Sequence, residues 1–268
     1  MTGFSSSGRY DSEPVPVENS RPVGVFDSGV GGLSVLAALV KIMPLENYVY
    51  IGDSKNAPYG NKSHDEVAQI SLSNARTLLS LGCKAIVVAC NTATAAAVET
   101  LRAAFPEVPV IGIEPALKPA FVHGCRNVTV LATPRTVAEG RFKSLLSRLS
   151  AEYGGRARGV GCPGLSGMVE NRTVTDEYFE DIFSRPENAG TDGVVLGCTH
   201  YSFAVENIRR ASGGLPVFDG AEGTARQTKR LLEERGRLNK TGRGSIVFYD
   251  DDGRSGAFWQ DVARPFAR

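Results

Sequence analysis

The sequence predicts an α/β protein built on mainly parallel sheets, and three observations carry that expectation. Short apolar runs rich in β-branched residues alternate with amphipathic stretches along the chain. Several of the runs are apolar at every position, the pattern of strands covered by helices on both faces. Two segments also echo each other: KAIVVACNTAT (84–94) and DGVVLGCTHYS (192–202) each read as a buried strand ending in a cysteine, then a threonine-bearing turn and a helix. Two halves of related design, each presenting one thiol at the carboxyl end of a strand, account for the echo. In open parallel sheets that end is where ligands bind.

The elements follow in order. Strands are expected at Val23–Asp27, Tyr48–Gly52, Ala85–Ala89, Val110–Ile113, Val128–Leu131, Gly159–Gly161, Val194–Gly197, Pro216–Phe218 and Ser245–Tyr249. The first helix, Leu33–Met43, gathers Leu36, Leu39, Val40 and Met43 on one face. The second starts after Ser63, where Glu66 completes a capping box that satisfies free backbone N–H groups, and runs to about Leu81. Further helices are expected over Thr92–Phe105, Thr136–Tyr153, Thr175–Ser184, Phe203–Ser212 and Gly223–Arg235.

Composition narrows the function. Hydrophobic residues make up 42% and charged residues 22%, which excludes a disordered or fibrous chain. A net charge of +1 lacks the basic excess of a protein that lives on phosphate contacts, so no nucleic acid partner is expected. No apolar run reaches the length of a membrane span, and the polar N-terminus has no secretion signal. Residues 1–21, with a serine cluster and scattered acids, read as a disordered extension. Five cysteines, an odd number with no CxxC, argue against a disulfide framework or a four-cysteine zinc site and favour free thiols in the cytoplasm.

Chemistry concentrates where strands give way to helices. Cys90 and Cys198 both sit at such a junction, where outward N–H groups and the helix dipole favour a thiolate over the ordinary thiol, which ionises near about 8.5. His200 is two residues from Cys198, close enough to share a hydrogen bond. Cys83, Cys125 and Cys162 read as inert core. The first strand feeds Asp27-Ser28-Gly29-Val30-Gly31-Gly32, a loop whose glycines let backbone amides approach a ligand. It matches neither a P-loop nor a dinucleotide fingerprint, so a small carboxylate is the better guest. Asp27, ending a buried strand, is costly there unless it caps the turn or serves a ligand. A second loop, Asp53 to Gly60, leaves the same sheet edge. His64 and His123 have no partner at metal spacing and read as surface or structural residues, and no metal is expected.

These motifs, DSGVGG (27–32), PYG (58–60), ACNTAT (89–94) and GCTHYS (197–202), resemble in order and spacing those of the cofactor-independent glutamate racemases, from about Pro22 to the FYDDDG stretch. The resemblance implies two doubly wound α/β domains related by pseudo-twofold symmetry, with the active site in the cleft between them. Residues 22–115 with 211–268 would form the first domain and 116–210 the second. It implies interconversion of L- and D-glutamate without a cofactor, supplying D-glutamate for peptidoglycan synthesis, with Cys90 on one face of Cα and Cys198 on the other. By the same resemblance Asp27 tunes Cys90, Ser28 binds substrate, and Asp53 is the second acidic position. Tyr59 and Gly60 hold substrate through backbone. Asn91, Thr92 and Thr199 contact its carboxylates and ammonium, and Thr136 is a further contact. His200 assists Cys198, with Glu170 of the CP…VE segment nearby. The partner is then a small molecule, and a homodimer is compatible with the sequence.

Ser202, Thr94 and the stretch PGLSGMVE (163–170), less apolar than usual in the family, depart from its pattern. The rivals are an aspartate or hydantoin-type racemase, a non-catalytic amino-acid-binding protein on the same scaffold, and a Cys–His hydrolase built on Cys198 and His200. DSGVGG with PYG favours glutamate. A binding protein should have lost a catalytic position, and a hydrolase leaves Cys90 unexplained.

Overall fold

The computed structural model describes residues 18–249, and all the strand pairings between them are parallel. The strands are β1 (Val23–Asp27), β2 (Tyr48–Gly52), β3 (Ala85–Val88), β4 (Val110–Gly112), β5 (Asn127–Ala132), β6 (Arg156–Gly161), β7 (Gly193–Gly197), β8 (Val217–Phe218) and β9 (Ile246–Tyr249). The helices are α1 (Leu33–Ile42), α2 (His64–Ser80), α3 (Asn91–Ala104), α4 (Leu117–His123), α5 (Pro134–Ala138), α6 (Gly140–Tyr153), α7 (Leu165–Glu170), α8 (Asp176–Ser184), α9 (Val205–Ala211) and α10 (Ala221–Glu234).

They build two sheets, ordered β4-β3-β1-β2-β9 and β6-β5-β7-β8. Leaving β9 aside, the orders are the same: each unit's first strand lies between its second and third. Chain direction across the sheet therefore reverses between β1 and β3 in one unit and between β5 and β7 in the other. Crevices at the carboxyl ends of such reversal points are where open α/β sheets hold ligands. Cys90 follows β3 and Cys198 follows β7, so each thiol occupies the same topological place in its unit.

Both faces of each sheet are apolar, as the uninterrupted runs required. In the first sheet Val23, Val25, Tyr50 and Val87 pack with Leu36, Leu39 and Leu232, while Phe26, Ile51, Ile86 and Val88 pack with Val67, Leu78 and Leu101 on the other side. Full burial of each such side chain contributes about 1.5–3 kcal/mol, which fixes the strand edges that carry the site. The capping box forms: the Ser63 N–H donates to Glu66 at 2.8 Å, and the Glu66 N–H donates back to the Ser63 hydroxyl at 3.2 Å.

Four expectations are corrected. The helix expected over 136–153 is two helices, because Glu139 is extended (φ −67°, ψ 135°) and its buried carboxylate is held 3.2 Å from His64 of the other unit. α4 and α7 were not expected: α4 is short and contains Pro119, and α7 is short and contains Gly167. β8, assigned to the first domain, pairs with β7, so the crossover back to the first sheet comes after Phe218. Residues 18–21, assigned to the extension, are anchored. The Asn19 and Ser20 carbonyls accept from Lys84 and Asn47, and Arg21 donates to the Gly82 carbonyl. Residues 1–17 of the expected extension, and the 250–268 end of the first domain, lie outside the described residues.

That anchor rests on a buried ion pair. Lys84 Nζ is 2.6 Å from Glu46, both side chains are almost fully buried, and the other Glu46 oxygen accepts the Asn239 N–H at 2.7 Å. Removing one partner strands a buried charge, a loss of about 3–5 kcal/mol. Lys84→Met should therefore lower the urea-unfolding free energy by about that amount, and Lys84→Met with Glu46→Gln should recover part of it. A single variant as stable as the parent would mean that the pair is not buried as described.

Candidate active site

β1 and β3 are neighbours, so their carboxyl ends set Asp27 beside Cys90. Asp27 is wholly buried. Its carboxylate accepts the Gly29 N–H at 3.0 Å and, from the turn after β7, the Thr199 hydroxyl at 3.0 Å. That second bond crosses from one unit to the other. It exists because the β1 loop has no side chains at the contact: a Cβ on Gly31 would stand 2.5 Å from Thr199 Oγ1 and 2.7 Å from the His200 backbone nitrogen, and one on Gly32 would stand 2.5 Å from Asp27 Cβ. Only glycine fits such an approach.

The two thiols border one cavity of about 290 Å³, at the small end of ligand pockets, which run from about 300 Å³. Ser28, Tyr59, Gly60, Thr92, Glu170 and His200 share its walls with Cys90 and Cys198, so both units contribute. Each sulfur has a seryl neighbour: Ser28 Oγ lies 3.8 Å from Cys90 Sγ, and Ser166 Oγ lies 3.6 Å from Cys198 Sγ.

Other expected site residues stand behind the wall. Asp53 is buried and its carboxylate is taken up by the Tyr59 hydroxyl at 2.5 Å, by Asn56 and by Asn74. It shapes the Tyr59–Gly60 loop and turns the phenol away, leaving that loop's backbone to the cavity. Thr136 closes a ring of hydroxyls with Thr92 and Thr133, at 3.1, 3.1 and 2.9 Å, which joins α3 to the start of α5. Thr199 reaches the site through Asp27. Asn91 borders an adjoining pocket instead, and its buried side-chain amide has no hydrogen-bond partner among the described residues.

Ser54, Thr133, Ser166 and Gly167 line the cavity without having been singled out. The Thr133-Pro134 helix start is visible in the sequence as an N-cap followed by proline, but nothing local aims it at the site. Cys162, expected to be inert core, also borders the cavity. Burial and the nearby Cys198 push its thiol up to about 12.

Electrostatically the two halves differ. The expectation that the helix start would favour a Cys90 thiolate is overturned. Burial, and then the Asp27 charge, push Cys90 up to about 12, against which the Ala93 N–H acts too weakly. Burial likewise raises Asp27 above the usual carboxylate range, against the pull of His200, Gly29 and Thr199. Around Cys198 the balance is cationic. Burial alone would lower His200, but hydrogen bonds with Cys198 and Glu170 and the charges of Cys198 and Asp27 outweigh it and push the imidazole up to about 10. Glu170 accepts from His200 Nε2 at 3.0 Å. Among the described residues, no group of three or more His, Cys, Asp or Glu is placed to hold a metal ion, and no helix is long and apolar enough to cross a membrane.

Two parallel-sheet units of the same strand order, meeting over a small cavity, are the fold of a racemase. Residues 28–228 match the Asp/Glu/Hydantoin racemase family, and the chain belongs to that family. A glutamate racemase of Clostridium botulinum (strain Alaska E43 / Type E3) is 41% identical over 243 residues, covering 88% of this chain and 93% of its own. Among solved structures, a glutamate racemase from Bacillus anthracis superposes with a TM-score of 0.81 at 29% identity, over 92% of this chain and 94% of that one. A Francisella tularensis glutamate racemase, solved with D-glutamate, does so with 0.79 at 27% identity, over 93% and 94%.

The His200–Glu170 pair makes a pH prediction. With the folded value near 10 and the ordinary one near 6.5, the partners of His200, Cys198 first and then Glu170, stabilise the fold fully below about pH 6.5, and that contribution is lost as pH rises through about 10. By NMR, His200 should titrate near 10. Glu170→Gln should lower the midpoint by about one unit, the size of a hydrogen bond to a charged group. A wild-type midpoint near 6.5 would show that the imidazolium is not held.

Proposed function

We propose that this enzyme interconverts L- and D-glutamate, Cys90 and Cys198 exchanging protons with Cα from opposite faces. The observation that carries the reading is the entry of one thiol from each parallel sheet into a single amino-acid-sized cavity. Inversion at carbon needs a base on one side and an acid on the other, and two sulfurs from different elements supply that pair without a cofactor.

The electrostatics support a starting arrangement. Cys90, buried beside Asp27, holds its proton and is the acid. Cys198, hydrogen-bonded to the imidazolium of His200, is the base. Cys198 removes the α-proton, Cys90 delivers one to the opposite face, and the reverse reaction exchanges the roles. Ser28, Thr92 and the backbone of Tyr59 and Gly60 are the groups facing the substrate. Asp53, Thr136 and Thr199 act through Tyr59, the threonine ring and Asp27. Asn91 borders the adjoining pocket, and its buried side-chain amide, without a hydrogen-bond partner among the described residues, keeps its donors and acceptor available for the substrate. Supplying D-glutamate for peptidoglycan synthesis, in the cytoplasm, completes the proposal.

Purified protein in D₂O with L-glutamate and no added cofactor should yield D-glutamate carrying α-deuterium. Turnover of aspartate or a hydantoin instead would favour the rival racemases, and no exchange with any of them would overturn the reading. Cys90→Ala and Cys198→Ala should each abolish racemisation. Each should still eliminate chloride from one enantiomer of β-chloroalanine, because elimination needs only one base, and the two variants should prefer opposite hands. The same preference in both would refute the two-face assignment.

A further inference from the structure

α7, in the CP…VE segment, carries a hydroxyl to which the resemblance gives no role. Gly164 adopts a left-handed conformation (φ +74°) and starts α7 so that Leu165 is buried while Ser166 faces the cavity. Ser166 Oγ lies 3.6 Å from Cys198 Sγ, within reach for a hydrogen bond to sulfur, and either atom can be the donor. Ser166 also lies beside the Tyr201 hydroxyl, whose own proton goes to the Cys162 carbonyl at 3.4 Å. The phenol oxygen is left to accept. Ser166 thus has two settings: it donates to a charged sulfur, or it donates to Tyr201 and accepts from a protonated one.

We propose that Ser166 is a positioning residue for Cys198, its hydroxyl turning between donor and acceptor so that the sulfur keeps a hydrogen-bond partner whether or not it carries a proton. The inference rests on the two-cysteine reading, in which Cys198 is a base in one direction and an acid in the other. A fixed cation such as His200 favours only the charged sulfur. A hydroxyl with an alternative acceptor serves both forms, because it can reverse its bond at the cost of a rotation. The other titratable groups around Cys198 are His200 and Tyr201 from the following turn, Cys162 after β6, Glu170 at the far end of α7, and Cys90 with its neighbour Asp27 across the cleft. Ser28, 3.8 Å from Cys90, is the seryl neighbour of the other sulfur, but it follows its unit's first strand whereas Ser166 follows its unit's second.

The test reads Cys198 directly, without substrate. In full-length protein carrying Cys90→Ala, alkylation of Cys198 by iodoacetamide is followed against pH by mass spectrometry of the peptide that contains it. Adding Ser166→Ala should raise the alkylation midpoint by about one pH unit, as expected for losing a hydrogen bond to a charged group. Ser166→Thr, which keeps the hydroxyl, should restore it. With Cys90 intact, Ser166→Ala should lower kcat about tenfold and change KM less than about twofold, about the effect of one pH unit in a reacting group. An unchanged midpoint in Ser166→Ala, or the same shift in Ser166→Thr, would overturn the proposal. Racemisation by the unaltered protein is measured separately, so a chain that shows the midpoint shift but makes no D-glutamate refutes the proposed function and not the Ser166–Cys198 bond.

Discussion

The site depends on how closely the β1 loop approaches the turn after β7, and the 3.0 Å bond from the Thr199 hydroxyl to the Asp27 carboxylate is where that approach is fixed. A wholly buried carboxylate is unfavourable unless its oxygens are met. Here Gly29 satisfies one from within the loop and Thr199 satisfies the other from the opposite unit. Neither unit alone completes the solvation of Asp27, so separating them would expose or strand that charge. Tyr50, whose hydroxyl donates to the Gly29 carbonyl at 2.7 Å, braces the same loop from below. The cavity, both thiols and the His200–Glu170 pair are arranged around this junction.

The junction also sets the charge pattern. Asp27 stands between the two sulfurs in effect: its charge raises Cys90 and supports the cation of His200 beside Cys198. One buried carboxylate thereby keeps a proton on one thiol and a positive partner next to the other. In a cavity this small, the field is little screened by water, so a single charge acts on both sides. The two halves share a strand order yet differ electrostatically, because Asp27 belongs to one unit and His200 to the other.

Most of the fold was legible because its strands are apolar on both faces. All nine expected strands overlap those observed, since a buried parallel strand leaves a continuous signal in the sequence. What was missed is short or set by distant contacts. Glu139 breaks a helix where its carboxylate is shared between Arg135, at 3.0 Å, and His64 of the other unit, at 3.2 Å, and the second contact is one no local pattern records. α7 lies in a glycine-containing segment and is stabilised by burying Leu165 and Val169 rather than by propensity. For the site, the motif residues at strand ends were singled out because topology brings strand ends together. Cys162 and Ser166 were not, because their residue types are common and only the meeting of β6 with the turn after β7 turns them toward the cavity. The Cys90 environment was misjudged for a related reason. A helix start is visible in sequence, but the extent of burial and the nearness of Asp27 are tertiary facts, and both outweigh the dipole.

The threonine ring adds a constraint of its own. Three hydroxyls joined in a triangle have three protons for three bonds, and Thr133 Oγ1 also accepts the Thr136 N–H at 3.1 Å. All the protons are therefore committed within the ring. A ligand carboxylate that accepts from Thr92 or Thr133 must take one of those protons and break one side of the triangle. Two of its three sides join α3 of one unit to α5 of the other, and the third lies within α5's first turn. Binding an anion at this wall thus competes with a contact between the units. The cost is modest, since the ligand bond replaces the lost one and a carboxylate is the stronger acceptor. In the proposed function the consequence is mechanical: the hydroxyls that would meet the ligand are the same ones that join the two units at the cleft, so occupancy of the cavity and the spacing of its walls would be set by one group of atoms.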